Sequence, residues 1–387
     1  MHRVCRSAAS KGHSRWLAWT ACAFLLTSPA AAQPSAEGAV SELEDKPKST
    51  LPLPMTTRCA VTAHDLSIGH DCAGLLDCST GQSCGGEGGL DHVAAGTGLR
   101  NRGEGVIELA GAPPGAVAVG AWLYWGVIAE DEGVLATALL DDQPLEGELL
   151  GVTPGPCWSA ILGTEPPTFR AYRKPVLELV RPGINGNYRV AVPGAPVTDG
   201  RDPWRWPPVA SPWVDGVSLL VVYRHPEVPY EAAFTLHEGP ALLQGSLALE
   251  HELPAVGASL ASPQALRHTR IGGDGQRHAG YSPTYPFATT LLWDDVSCSH
   301  LSPLQIAGPG SPVDPVSDWK GRDGGSVTQL WDTQLTELAW PHDVAGCADY
   351  LIDYSSLTSA GEDPGTGESL GFFYDCVVVV AHALTVR

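Results

Sequence analysis

Between Asp215 and Pro226 the chain reads Asp-Gly-Val-Ser-Leu-Leu-Val-Val-Tyr-Arg-His-Pro, a run of β-branched and aliphatic residues between a turn signal and a proline stop. That is the pattern of a buried strand. Val217, Leu219, Val221 and Tyr223 fall on one face, and Gly216, Ser218, Leu220 and Val222 on the other. Both faces are apolar towards the end of the run, so the strand is expected to be covered on both sides. A chain with such a strand must supply two apolar surfaces to cover it.

Other segments repeat the pattern. Val117 to Val127 alternates Val117, Val119, Ala121, Leu123, Trp125 and Val127 onto one face, with Ala118, Gly120, Trp122, Tyr124 and Gly126 on the other. The glycines suit a curved or closely covered sheet. Val106–Leu109 is short and amphipathic, and Leu135–Leu140 and Leu145–Val152 flank Asp141-Asp142 as a hairpin. Asn185-Gly186-Asn187 is a turn signal before Tyr188–Val192. Pro175–Val180 reads as one helical turn or a strand.

After Pro226 a second set follows: Ala232–Leu236, Leu247–His251, His268–Ile271, Thr289–Trp293, Val327–Leu335 and Cys376–Val386. In the last, Cys376, Val378, Val380, Leu384 and Val386 share a face interrupted by His382. The 33 prolines and 44 glycines fit many turns and preclude long helices. The halves rhyme: each ends in a Val-rich strand after an acidic residue (Asp215, Asp375), and each has an interior strand ending in Trp (Trp125, Trp293). The expected fold is all-β, two tandem jelly-roll-like antiparallel β-sandwiches over 93–230 and 231–387. One enlarged sandwich is the alternative.

The N-terminus carries Arg3, Arg6, Lys11 and Arg15, an apolar stretch from Trp16 to Leu26, and Ala30-Ala31-Ala32 before Gln33. This reads as a secretory signal peptide over residues 1–32, cleaved near Ala32. No later segment reaches membrane-spanning length, so a secreted or periplasmic protein without membrane insertion is expected. Residues 33–55 read as a flexible leader. Removing 1–32 takes four basic residues from 23 and none of the 43 acidic ones, which leaves 19 against 43 and a net charge of −24. Such a charge opposes binding to nucleic acid.

Eight cysteines remain after the signal: Cys59, Cys72, Cys78, Cys84, Cys157, Cys298, Cys347 and Cys376. An even count in an exported chain favours disulfides, with connectivity left open. Residues 56–92 form a small Cys- and Gly-rich segment with little apolar content, which needs crosslinks to hold its shape. A zinc site is the poorer reading, because Cys72, Cys78 and Cys84 lack a CxxC pair.

The succession AVAVGAWLYWGVI, FRAYRKPVLELVRPGINGNYRVAV and DGVSLLVVYRHPEVP resembles a family of exported archaeal and bacterial β-sandwich proteins classed as a domain of unknown function. The resemblance is best over Val106–Glu231, and the chain departs from it at Lys174-Pro175-Val176. It implies a secreted or surface β-sandwich protein and carries over no catalytic residue.

Catalytic signatures fail when tested. Gly216-Val217-Ser218 and Gly257-Ala258-Ser259 do not complete GxSxG. His237-Glu238 and His251-Glu252 lack the second histidine of a zinc-protease helix, and His225, His237 and His382 show no metal spacing. Asp294-Asp295 and Glu130-Asp131-Glu132 are the candidate carboxylates for a hydrolase or lyase, and solvated loop carboxylates are the simpler reading. Asp314, Asp318 and Asp323, in a Gly- and Pro-rich loop, are candidate ligands for a structural Ca2+, without EF-hand spacing.

The most site-like segment is Asp202-Pro-Trp-Arg-Trp-Pro-Pro-Val-Ala-Ser-Pro-Trp213. Trp204, Trp206 and Trp213 offer aromatic faces for the apolar C–H face of a sugar, and Arg205 offers donors to hydroxyls or carboxylates; packing at one end of the core is the rival role. The sequence therefore points to a non-catalytic binding or structural module of the cell envelope or extracellular matrix, with a glycan or envelope component as partner. A secreted carbohydrate-active hydrolase or lyase is the alternative.

Overall fold

The computed structural model describes residues 55–62, 87–100, 102–131, 133–155, 167–197, 211–244, 246–252, 265–273, 287–293, 304–307, 330–339, 349–356 and 376–387. This part is all-β, 68% strand and 2% helix, and every strand pairing is antiparallel. Among the described residues no helix is long and apolar enough to cross a membrane.

The strands form two tandem sandwiches. In the first, a five-stranded sheet has the order β2 (Gly89–Gly98), β10 (Trp213–His225), β4 (Val117–Ala129), β8 (Thr168–Pro175), β7 (Glu148–Pro154). Its four-stranded partner is β3 (Glu104–Leu109), β9 (Gly186–Ala191), β5 (Thr137–Leu140), β6 (Gln143–Glu146). In the second, a five-stranded sheet runs β1 (Thr56–Thr62), β11 (Ala233–Gln244), β18 (Cys376–Val386), β13 (Ala265–Gly273), β16 (Trp331–Ala339). The other sheet is β12 (Ser246–Glu252), β17 (Asp349–Ser356), β14 (Phe287–Trp293), β15 (Leu304–Ala307).

The strand that opened the sequence reading is β10, and all thirteen of its residues are buried. Val217, Leu219, Val221 and Tyr223 enter the core of the first sandwich with Ile107, Tyr188 and Val190 of the facing sheet. Leu220 and Val222 enter a second core, made with Phe234, Leu236, Ile271, Trp331, Val378 and Val380 of the second sandwich. The two five-stranded sheets therefore stack on each other. That second core explains why β10 carries no polar face.

Trp331 is one of three tryptophans in the joint, with Trp122 and Trp213, and glycines make room for it. A Cβ at Gly216 would stand 2.3 Å from Trp331 Cγ, and one at Gly126 would stand 2.5 Å from Phe169 Cζ and 2.7 Å from Trp331 Cζ3. The Trp331 indole N–H donates to Ser218 Oγ at 2.8 Å, and the Ser218 and Thr333 hydroxyls lie 2.6 Å apart. The Trp331 N–H and the Ser218 and Thr333 hydroxyls are thereby paired.

Two strands depart from simple alternation. In β4, Gly120 pairs with Val222 and Ala118 with Tyr223, which leaves Val119 as an extra residue. A bulge of this kind reverses the side on which the following residues project. Val119 lies in the inter-sandwich core while Ala121, Leu123, Trp125 and Val127 lie in the first sandwich, and Val117 is exposed. In β18 the register shifts at Val380, so Val378, Val380, Ala381 and Ala383 all belong to the inter-sandwich core. His382, Leu384 and Val386 consequently turn away from it. The single shared face expected for each of these strands is corrected by one bulge.

Turn chemistry explains the smaller elements. Asp141 and Asp142 take positive φ (46° and 66°) in a two-residue turn that joins β5 to β6. The stretch expected as one strand from Leu145 is two, because the chain changes sheets at Gly147. A Cβ there would meet the Trp125 ring at 2.4 Å. Leu177–Leu179 is a single 3-10 turn. The strand expected over Val327–Leu335 runs from Trp331 to Ala339. From the Cys/Gly-rich segment, Thr56–Thr62 joins the second sandwich as the edge partner of β11, and Gly89–His92 opens β2 of the first. Cys59 is buried in the inter-sandwich core and is disulfide-bonded.

Gly216→Ala should destabilise the protein by about 1–3 kcal/mol through overpacking against Trp331, and Trp331→Ala by about 3–5 kcal/mol through an emptied socket. In urea denaturation the double variant should be more stable than the sum of the two losses. Additive losses would place the clash elsewhere.

Candidate functional site

Of the residues that the sequence grouped as a binding loop, Trp213 alone is described. Trp213 starts β10 and is 3% exposed in the inter-sandwich core, so its ring packs and is closed to a ligand. Trp204, Arg205 and Trp206 lie outside the described residues, as do Asp314, Asp318 and Asp323, and Cys72, Cys78, Cys84, Cys157, Cys298 and Cys347. Cys376 begins β18. The described residues that flank the tryptophan-rich segment are Val197 and Ser211. The segment leaves after Val197, which is 76% exposed, and returns at Ser211, whose Oγ lies 3.5 Å from Glu130 Oε1. Glu130 and Asp131, two of the candidate carboxylates, are exposed beside this return.

Val197 helps line a groove of about 800 Å³ formed by the four-stranded sheet of the first sandwich together with Thr97 of β2. Strand alternation builds it. Ile107, Leu109, Tyr188, Val190, Ala138 and Leu140 point into the core, so Glu104, Val106, Arg189, Ala191 and Leu139 point out. Glu104, Ala191 and Leu139 form one row across β3, β9 and β5, and Val106 pairs with Arg189 in the next. Arg102 and Asp142 complete the walls. Arg189 donates through Nη2 to Asp142 Oδ2, and its backbone N–H donates to Asp141 Oδ1 at 2.9 Å. Burial tends to raise the Asp141 carboxyl, but that N–H and the Arg181 guanidinium at 2.7 Å hold it below its ordinary value. Sequence reading missed these residues, although the amphipathic Val106–Leu109 already implied an outward Val106.

A second concentration of charge lies at the joint between the sandwiches. Asp91 is fully buried, and its Oδ2 accepts from Arg387 Nη1 at 2.7 Å, Arg267 Nη1 at 2.9 Å and the Tyr223 hydroxyl at 3.1 Å. Arg267 and Arg387 also share Glu337. Burial pushes the Asp91 carboxyl above its ordinary value despite the two guanidiniums, and burial together with Asp91 pushes the Tyr223 phenol up to about 12. Beside them His92 contacts Thr385 Oγ1 at 2.6 Å through Nδ1 and Thr269 Oγ1 at 3.0 Å through Nε2. Burial first, and then the Arg267 and Arg387 guanidiniums, hold its imidazole well below the ordinary value of 6.5. Across the same joint, buried Glu238 accepts from Tyr124 and from Arg173, which also reaches Glu148. These groups tie one sandwich to the other.

A third polar group lies on the opposite face of the second five-stranded sheet. His237 pairs directly with His382 across β11 and β18, with ring centroids 4.5 Å apart, and His268 is 6.0 Å from His382. Arg270 Nε donates to Gln334 Oε1 at 2.7 Å in the same row. All five are buried. Among the described residues no three His, Cys, Asp or Glu side chains are placed to hold a metal ion.

No family model and no curated protein matches the chain. Among solved structures it is similar to recombinant N-glycanase F (PNGase F), at 12% identity over 77% of this chain and 95% of that one, with a TM-score of 0.23. It is also similar to a protein from Parabacteroides distasonis thought to be secreted, at 9% identity over 88% of this chain and 86% of that one, with a TM-score of 0.21. Likeness at these TM-scores supports no conclusion about activity.

The joint makes stability depend on pH with a definite sign. His92 is neutral when folded, and the unfolded chain takes up its proton below about pH 6.5, so the site's contribution is full above that pH and shrinks as pH falls. The slope for one such group is about 1.4 kcal/mol per pH unit. Two arginines hold the Glu337 carboxyl low against its burial, which adds a loss as pH falls below 4.5; Asp91, raised, opposes it between 3.8 and its folded value. Urea midpoints should therefore drop between about pH 7 and pH 5, and His92→Gln should flatten that slope by about one proton. An unaltered slope in the variant would remove His92 from the explanation.

Proposed function

We propose that this protein is an exported, non-catalytic glycan-binding module of the cell envelope or extracellular matrix, of the exported β-sandwich family that it resembles in sequence. The observation that carries the reading is the position of the residues that bound the tryptophan-rich segment. The last described residue before it is Val197, which helps line the groove, and it ends at Trp213, seated in the joint between the sandwiches. Trp204 follows Val197 by seven residues, a contour of at most about 25 Å. A chain of that length is long enough for the indoles of Trp204 and Trp206 to meet a glycan bound in the groove. Stacking of sugar C–H faces on these rings, with Arg205 donating to hydroxyls, would supply the binding energy, and each aromatic contact is worth on the order of 1 kcal/mol.

The rigid setting supports this role. Loops displayed from a scaffold that does not move lose less freedom when they engage a ligand. Export belongs to the same proposal, with cleavage near Ala32 and all eight remaining cysteines in disulfides.

Two experiments test the reading. On a glycan array the protein should bind a defined set of glycans, and Trp204→Ala/Trp206→Ala should lose that binding by roughly ten-fold or more while its melting temperature stays unchanged. Undiminished binding by the variant would remove the segment from the site, and release of reducing ends from a bound glycan would favour the hydrolase reading. For export, the unreduced mass of protein recovered outside the cytoplasm should begin at Gln33 and lie eight protons below the reduced mass. Thiols that react with iodoacetamide before reduction would contradict the full set of disulfides.

A further inference from the structure

The groove formed by the β3-β9-β5-β6 sheet with Thr97 of β2 has a floor and walls of different chemistry. Its floor is aliphatic: Val106, Leu139 and Ala191 face outward from three adjacent strands. Val106 remains 44% exposed and Val197 in the lining 76%, so apolar surface is concentrated where strand alternation would place polar side chains. The walls are charged and balanced, with Arg102 and Arg189 set against Glu104 and Asp142. Its volume of about 800 Å³ falls within the range of small-ligand sites, about 300–1,000 Å³.

Resting on the glycan reading above, we propose that this groove is the saccharide bed and that it selects neutral over acidic glycans. A pyranose ring has an apolar C–H face and an equatorial rim of hydroxyls that both donate and accept. The aliphatic floor matches the ring face. At the rim, carboxylates accept from vicinal hydroxyls and guanidiniums donate to them, bonds strengthened by the charge of the protein partner. Arg189 is held in place by Asp142 and Asp141. Arg102 and Glu104 are exposed and make no ion pair with any described residue, so their hydrogen-bonding capacity is open to a ligand.

The same charges set the selectivity. A uronate or sulfate entering the groove meets two carboxylates for its two guanidiniums, on a protein whose acidic residues outnumber its basic ones by 43 to 23. The local field gives no net attraction, and the long-range field repels an anion. A neutral oligosaccharide meets no such opposition.

The test compares three proteins: wild type, Arg102→Ala/Glu104→Ala, and Trp204→Ala/Trp206→Ala. Each is titrated by calorimetry, in about 0.15 M salt, with the best neutral oligosaccharide from the array and with uronate and sulfated oligosaccharides of equal length. Wild type should bind the neutral glycan roughly ten-fold or more tightly than the acidic ones. The groove variant should lose roughly ten-fold in affinity while keeping its melting temperature, since both positions are exposed. Preference for acidic glycans would overturn the selectivity. Wild-type affinity in the groove variant, with binding lost in the tryptophan variant, would overturn the groove while leaving the glycan reading intact. Failure of wild type to bind any glycan would overturn both.

Discussion

The central strands β10 and β4 of the first sandwich's five-stranded sheet are buried on both faces, and the rest of the architecture follows from that constraint. They need apolar partners above and below. The four-stranded sheet supplies one cover, and the second sandwich supplies the other through Phe234, Leu236, Ile271, Trp331 and Val378. A surface that contains Trp122, Tyr124, Leu220 and Val222 would be an aggregation-prone patch if left open. The two sandwiches therefore do not behave as beads on a string. Trp331 fits against Gly126 and Gly216 only at one relative placement, because a shift along the sheet would drive the indole into side chains.

Apolar packing alone would allow the stacked sheets some freedom to slide, and the buried ions at the joint restrict it. Asp91 lies at the interface with donors from both sandwiches, and Glu238 of the second sandwich accepts from Tyr124 and Arg173 of the first. Removing such carboxylates from water costs several kcal/mol, and multiple charge-assisted hydrogen bonds are needed to offset it. The net contribution to stability is modest, but misplacement would leave a buried charge unpaired. Discrimination against wrong placements is therefore the physical role that fits these groups. His92, between two threonine hydroxyls of the other sandwich, adds a neutral contact of the same kind.

Much of this was legible in the sequence, and the limits have physical causes. Face assignment for β10 held at every position because no bulge interrupts Val217–Val222, where the local pattern alone decides. It failed in β4 and β18 at Val119 and Val380, since an inserted residue changes parity without altering hydrophobicity. The turn at Asp141-Asp142 was readable because it is local, whereas the pairing of β1 with β11 joins residues more than 170 positions apart. The charge network was invisible for the same reason: Asp91 and Arg387 are nearly 300 residues apart. Trp213 was read as a ligand contact and is a core residue, because the same indole serves either role and only tertiary burial separates them.

These constraints also limit where a ligand can bind. Both faces of the central strands are occupied by cores, and the facing side of the second five-stranded sheet is committed to the joint. Binding must then use outward faces of the four-stranded sheets or loops at the sandwich ends. On the first sandwich the four-stranded sheet carries the groove, with Val197, before the tryptophan-rich segment, in its lining and Trp213, at the segment's other end, in the joint. The stability of the joint and the chemistry of the groove thus rest on different residues, Asp91, Arg267 and Trp331 for one and Arg102, Glu104 and Val106 for the other. Exposed groove residues can change without disturbing the core that seats Trp213, and this independence allows one packed scaffold to carry different surface specificities.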